Sequence, residues 1–179
     1  MTTPPAFGNA PTIVTDRLTL RHPVERDLPA IAAICGDWQV ARRLARVPHP
    51  YGLDDARFFL ERVVPNEWVW ALTLSATNPL FGTIGLLPET RGNAAELGYW
   101  LAPEAWGQGF ATEAANAVVH FAFDTLGLLY LTSGHAEDNP ASGRVLTKIG
   151  FHETERTLQP CLAAGTAIPS VRMILHRPD

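Results

Sequence analysis

Apolar Leu18 and Leu20 alternate with Arg17, Thr19 and Arg21 in residues 13–21, the period of two that a half-buried strand needs because successive side chains leave opposite faces. Between 25 and 63 the period lengthens, and three short helices are predicted, at 25–35, 37–46 and 53–63. They are separated by Gly36 and by Val47-Pro48-His49-Pro50-Tyr51-Gly52, where two prolines and a glycine break any helix. Asp54 and Asp55 fall where the positive end of the third helix dipole favours carboxylates. Trp68, Trp70, Leu72 and Leu74 then alternate with Val69, Ala71 and Thr73, and a second apolar run over 83–87 follows Asn78-Pro79, which predicts a hairpin. A third run, 96–101, comes after the turn signal Arg91-Gly92-Asn93 and extends the hairpin to an antiparallel meander.

From Ala111 the apolar set Ala111, Ala114, Ala115, Val118, Val119, Ala122, Phe123 and Leu126 recurs at steps of three and four, one face of an amphipathic helix. A strand over 128–135 follows. Asp138-Asn139-Pro140 then opens a helix that runs to Ile149 and closes at Gly150, and strands over 151–157 and 170–177 are joined by a loop of small residues. The strand–helix–strand unit over 96–135 is a crossover, so its two strands should lie parallel within an otherwise antiparallel sheet. The fold class is therefore α+β, a mixed sheet flanked by helices, with no internal repeat.

Composition narrows the function. The chain of 179 residues, 46% apolar and 18% charged, is long enough to bury a full core and suits one domain over 13–179. Residues 1–12, rich in Pro, Ala and Thr, read as a flexible tail without the features of a signal peptide or membrane anchor, so the expected compartment is cytoplasmic. A net charge of −4 argues against a nucleic-acid partner, whose phosphates demand many Lys and Arg. Cys35 and Cys161 form no Cys-x-x-Cys pair and have no His at ligand spacing, so free thiols and no metal are expected.

The chemistry is concentrated in Ala105-Trp106-Gly107-Gln108-Gly109-Phe110-Ala111-Thr112-Glu113, which runs from a strand end into the long helix. Two glycines turn the backbone and leave N–H groups outward at the positive end of the helix dipole, a cradle for phosphate. A Gly-x-Gly of this kind also serves as a plain tight turn. The dinucleotide fingerprint fails, since its third glycine would fall at Thr112, and no Gly-Lys-Ser/Thr follows to make a nucleotide-hydrolysing loop.

With Glu96-Leu97-Gly98-Tyr99-Trp100-Leu101 before this loop, and Asp138-Asn139-Pro140-Ala141-Ser142 running on to Lys148-Ile149-Gly150-Phe151 after it, the chain resembles the GCN5-related N-acetyltransferase (GNAT) superfamily. The likeness is greatest to the ribosomal-protein N-terminal acetyltransferase (RimJ/RimL-like) branch. Thr15-Asp16-Arg17-Leu18-Thr19-Leu20-Arg21 and Asp54-Asp55-Ala56-Arg57-Phe58-Phe59 agree with it too, so the resemblance spans about residues 13–176. It implies a three-layer fold with about seven strands and a central splayed parallel pair. It also implies acetyl-CoA as co-substrate and an amine acceptor, either a small molecule or a protein N-terminus; a homodimer stays open. The amides of Gly107, Gln108, Gly109, Phe110, Ala111 and Thr112 would hold the pyrophosphate, with Trp106 heading the loop, Asn139 touching the cofactor arm and Arg144 reaching the adenosine-side phosphates. Many members begin this loop with Gln or Arg where Trp106 stands, a small change because the contacts come from the backbone.

Acetyl transfer needs a neutral nitrogen, yet a primary amine has a pKa near ~10, so a base must remove its proton. Glu96, at the start of the central strand beside the cleft, is the leading candidate, and His135 at the end of the neighbouring strand is the second; both also fit as ordinary structural groups. Asn139 before Pro140 fits a helix N-cap as well as a cofactor contact. Many superfamily members carry a Tyr acid where Leu146 stands, and alignment on the branch puts a hydroxyl at Ser142, one turn earlier on the same helix face. Ser142 could thus hydrogen-bond the departing thiolate, or only its own backbone. Arg144 and Lys148, four residues apart on this helix, could both reach the adenosine-side phosphates, though a solvated face accounts for the pair more simply. The acceptor pocket is expected from segments 38–51 and 159–169. The alternative function is a non-catalytic acyl-CoA-binding domain.

Overall fold

A computed structural model describes residues 7–89 and 93–178. Strands β1 (Ile13–Val14) and β2 (Thr19–Arg21) lead into helices α1 (Leu28–Gly36), α2 (Trp38–Ala41) and α3 (Leu53–Phe58). The meander follows as β3 (Trp68–Thr73), β4 (Gly82–Pro88) and β5 (Ala94–Leu101). Then come α4 (Phe110–His120), β6 (Tyr130–Ala136), α5 (Pro140–Lys148) and a closing hairpin, β7 (His152–Cys161) with β8 (Thr166–His176). They form one sheet in the order β1-β2-β3-β4-β5-β6-β8-β7, antiparallel throughout except for the parallel pair β5 and β6.

Among the described residues the sheet has eight strands where about seven are expected, because the run 13–21 is not one strand. Thr15 N–H donates to Leu18 O at 2.9 Å and Leu18 N–H to Thr15 Oγ1 at 3.1 Å, closing a turn that folds the run into a small hairpin. The segment 159–169 is likewise no open loop: pairing continues from His152↔Ile174 to Cys161↔Thr166, so only 162–165 form the tip. Arg91 and Gly92 of the expected turn lie outside the described residues. Helix α2 stops at Ala41, after which Arg43 and Leu44 N–H bond only three residues back, to Val40 and Ala41. Part of the stretch composed like a tail is held on the sheet: the Phe7 ring meets Trp68 edge-on at 4.6 Å, and Trp70 Nε1–H donates to Pro11 O at 2.7 Å.

Packing on both faces explains why β3 carries no polar side. Trp70 and Leu72 face the α4 residues Ala114, Ala115 and Val118, while Ala71 between them joins Leu28, Ile31 and Ile34 of α1 on the other face. All six β3 residues are buried, and truncating Trp70 to Ala would cost about 3–5 kcal/mol. Ala114 and Ala115 of α4 are fully buried in this core with the sheet residues.

The feature that makes a site is the parting of β5 and β6. They pair only at Ala94↔Tyr130, Ala95↔Leu131 and Glu96↔Thr132, whereas β5 stays paired to β4 up to Leu101 and β6 to β8 up to Ala136. Each strand is held by its other neighbour, so a wedge opens between them. The buried Ser133 hydroxyl donates to Leu97 O at 2.8 Å and spans the point where the pairing ends.

Candidate active site

At the N-terminus of α4, Gly107 and Gly109 have φ of +74° and +81°, a left-handed conformation that glycine alone adopts without strain. The first bond of the helix runs from Glu113 N–H to Gly109 O at 3.0 Å, so the N–H groups of Phe110, Ala111 and Thr112 precede it. A brace from the other end of the chain holds this turn. Glu113 accepts from Thr15 Oγ1 at 2.6 Å, from Arg17 N–H at 2.9 Å and from Arg17 Nε at 2.7 Å, while Arg17 Nη1 donates to Gln108 O at 2.9 Å. Burial by itself would raise the Glu113 carboxyl, but the bonds from Thr15 and Arg17 with the Arg17 charge outweigh it and hold the carboxyl below its ordinary value.

Two cavities open beside the wedge. The smaller, about 440 Å³, is lined by Trp106, Gly107, Gly109, Phe110, Ala111 and Thr112 of the turn, by His135 of β6 and by Asn139, Arg144 and Lys148 at α5. Arg43, Arg144 and Lys148 bring positive charge to it and, among the described residues, no Asp or Glu lines it, so turn and walls together favour an anion. Gln108 does not line it; its side chain turns away, Nε2 donating to Glu104 O at 2.8 Å. The larger cavity, about 760 Å³, is walled by the segments around Leu44 to Tyr51, by Phe58 and Phe59, by β5 residues from Glu96 to Trp100, and by Gln159, Leu162 and Arg172 of the hairpin. The two cavities share Arg43, Leu44, Tyr99, Trp100, Gly134 and Ser142.

At that junction Tyr99 Oη and Ser142 Oγ lie 2.8 Å apart, and Tyr99 also reaches Ser142 O at 3.3 Å. Burial, partly offset by the Ser142 hydrogen bond, pushes the Tyr99 phenol up to about 12, so it stays protonated at neutral pH. Ser142 is fixed from its backbone as well: Asn139 Oδ1 caps α5 by accepting from Ser142 N–H at 3.3 Å, with Pro140 at the first helical position. Glu96 faces the larger cavity in a paired state, its two oxygens accepting from Arg172 Nη1 and Nη2 at 3.2 and 3.4 Å. His135 borders the smaller cavity only. Its Nδ1–H donates to Ala136 O at 2.9 Å and its Nε2 abuts Gly143, where any Cβ would come within 2.7 Å.

The turn, Asn139, Ser142, Arg144 and Glu96, all anticipated from sequence, therefore converge on one wedge, while Gln108 points elsewhere. Lys148, read from sequence as part of a solvated face, lines the smaller cavity with Arg144, and Tyr99, Arg43 and Arg172 complete the walls without having been singled out. Tyr99 alone had a usable signal: it lies three residues beyond Glu96 in the segment that enters the wedge. Arg43 sits in an irregular turn, its guanidinium 5.7 Å above the Trp106 ring, a contact no periodicity foretells. Among the described residues no group of His, Cys, Asp and Glu is arranged to hold a metal ion, and no helix is long and apolar enough to cross a membrane.

Comparison with known proteins bears on this site. The family model for the acetyltransferase (GNAT) domain matches residues 17–152. The uncharacterized N-acetyltransferase YoaA of Bacillus subtilis (strain 168) is 32% identical over 155 residues, covering 80% of this chain and 84% of the relative. In fold the chain is similar to the ribosomal-protein-S5-alanine acetyltransferase of Vibrio fischeri, with TM-score 0.79, 17% identity, and 94% and 97% of the two chains covered. It is also similar to the spermidine N-acetyltransferase of Vibrio cholerae, crystallised with CoA and spermine, with TM-score 0.76, 22% identity, and 90% and 96% covered. At these identities the two structures speak for the fold.

Proposed function

The chain belongs to the GNAT acetyltransferase family, and from that premise we propose that its acetyl-CoA-dependent N-acetyltransferase activity proceeds by direct attack of an amine in the larger cavity, with both substrates bound at once. The observation that carries the reading is the meeting of a carboxylate-free, cation-bearing cavity at a helix N-terminus with a second cavity at Tyr99, Trp100, Gly134 and Ser142. Coenzyme A suits the first cavity. Its pyrophosphate matches the amides of Gly109 to Thr112, and Arg144 and Lys148 lie four residues apart on α5 for the remaining phosphate. The wedge between β5 and β6 leaves strand edges against which an extended arm can pair like an added strand.

Bound acetyl-CoA supplies an activated acyl group on a thiol. The protein's part is to orient the amine, take its proton and stabilise charge on the departing sulfur. Glu96 receives the proton, directly or through water, with Arg172 fixing the carboxylate's orientation. His135 serves this less well, because it borders only the cofactor cavity and its outer nitrogen packs against α5. Ser142 donates to the departing sulfur, and Tyr99 donates to Ser142 Oγ and so turns the serine proton toward the junction. A covalent acetyl-enzyme is disfavoured: both cysteines are buried, and burial raises the Cys35 thiol to about 12.

Initial rates of free-thiol release, measured with the purified chain at several concentrations of acetyl-CoA and amine, test this order. Intersecting lines are expected. Parallel lines, or an acetylated protein isolated without amine, overturn direct transfer; binding of coenzyme A with no turnover on any amine overturns the catalytic reading itself.

A further inference from the structure

The charges on the larger cavity are arranged in a way that selects among amines. Among the described residues six charged side chains line it: Arg43, Arg46, Arg172, Asp55, Glu67 and Glu96. Four of them neutralise each other in pairs, Arg46 Nη1 with Glu67 Oε1 at 2.8 Å and Arg172 Nη1 with Glu96 Oε1 at 3.2 Å. The third carboxylate, Asp55, has no ion-pair partner among the described residues; its Oδ2 accepts from Gly52 N–H at 2.8 Å at the start of α3. Arg43 makes no ion pair among the described residues, its buried Nε lacks a hydrogen-bond partner, and it stands at the junction of the two cavities. The rest of the wall is largely apolar, with Val47, Tyr51, Phe59 and Val69 inside. Phe58 and Leu162 are 63% and 58% exposed, which puts them at the cavity's open side.

Resting on the transferase reading above, we infer that the acceptor is an amine with a single positive charge on an apolar or aromatic body, and not a polyamine. One ammonium is delivered to Glu96, whose side chain stays 41% exposed beside Arg172 and keeps lone pairs open to the cavity, and that charge is given up on reaction. A second or third ammonium farther along the chain would find Glu67 paired with Arg46 and only 9% exposed, and Asp55 already accepting from Gly52 N–H, in a lining whose three arginines balance its three carboxylates and leave no surplus negative charge to replace lost hydration. Arg43 adds repulsion close to the reacting end. The apolar wall rewards carbon instead: in a hydrophobic pocket each methylene is worth about tenfold or more in discrimination. A free arylalkylamine and the α-amine of a peptide with an apolar first residue share this chemistry.

The test compares 2-phenylethylamine, a short peptide amide beginning with Phe, and spermidine at equal ionic strength. Thiol release is followed with acetyl-CoA, and calorimetry is run in parallel on the coenzyme A-loaded chain. At least one apolar amine should exceed spermidine by about tenfold or more in kcat/KM and in affinity. Preference for the peptide over the free amine would identify the acceptor as a chain terminus, and the reverse a small molecule. Arg46→Gln, which removes a largely exposed guanidinium and releases Glu67, should shrink the preference several-fold while the thermal midpoint reports folding. Spermidine used as well as either apolar amine, or a preference unmoved in folded Arg46→Gln, overturns the inference. If no amine releases thiol, the transferase reading fails separately, and calorimetry still decides the class, since spermidine binding as tightly as the apolar amines would overturn it.

Discussion

Replacing Ser142 by Ala removes one hydroxyl from the junction of the two cavities, and its effects on rate, binding and folding should separate. The Tyr99 and Ser142 hydroxyls are 2.8 Å apart; if Tyr99 gives its proton to Ser142 Oγ, the serine proton is free for a third partner. With the phenol raised to about 12, Tyr99 remains a donor across the working range. A hydrogen bond to a charged group contributes about 1.5–3 kcal/mol, so losing the one to sulfur should lower kcat by about 10- to 150-fold. Folding loses only a neutral hydrogen bond, about 1 kcal/mol, softened because Tyr99 keeps Ser142 O within 3.3 Å. Coenzyme A affinity should barely change. The assay is thiol release in single-turnover mode, where chemistry is rate-limiting, with calorimetry for coenzyme A. Tyr99→Phe should give a smaller loss of the same kind, and in the double variant the two losses should not multiply, because Tyr99 acts through Ser142. Full single-turnover rate in Ser142→Ala, or losses that multiply in the double variant, would refute the pair as a proton-donating unit.

At Gly109, φ of +81° makes any side chain cost roughly 1–2 kcal/mol, and a Cβ would sit 3.3 Å from Arg17 Nη2, a group able to shift. Gly109→Ala should therefore stay folded yet lose about tenfold or more in coenzyme A affinity by calorimetry, through crowding at the phosphate-facing amides; a folded variant that binds as tightly as the parent rules the cradle out. The Glu113 carboxyl, held below its ordinary 4.5, contributes stability that is fully present above that value and is lost as pH falls through the lowered one. Glu113→Gln should cost about 1–2 kcal/mol at neutral pH, Arg17 being half exposed, and should flatten the acid limb of urea-unfolding midpoints against pH; superimposable acid limbs for parent and variant would show that the brace does not carry that dependence.

The long helix, the meander and the glycine turn before α4 were legible along the chain because each rests on local rules: a repeat of three and four from Ala111, alternation in the strands, and glycines where φ must be positive. The crossover rule made β5 and β6 parallel neighbours from their order alone. Local rules went astray where a side chain competes with the backbone, as Thr15 does in splitting the first strand, and where pairing with β8 carries β7 past the expected loop to Cys161. The site's working contacts were beyond them altogether. Tyr99 with Ser142, Glu96 with Arg172, Arg17 with Glu113 and Arg43 over Trp106 join residues 43, 76, 96 and 63 positions apart. Periodicity reports which face of an element is buried, but which two faces meet is set by how helices and sheet pack in three dimensions. The sequence by itself determined most of the elements and the glycine turn at the head of α4; the wedge, the arginine-paired carboxylates and the hydroxyl pair exist only because α5, the hairpin and the early helices close around the place where β5 and β6 separate.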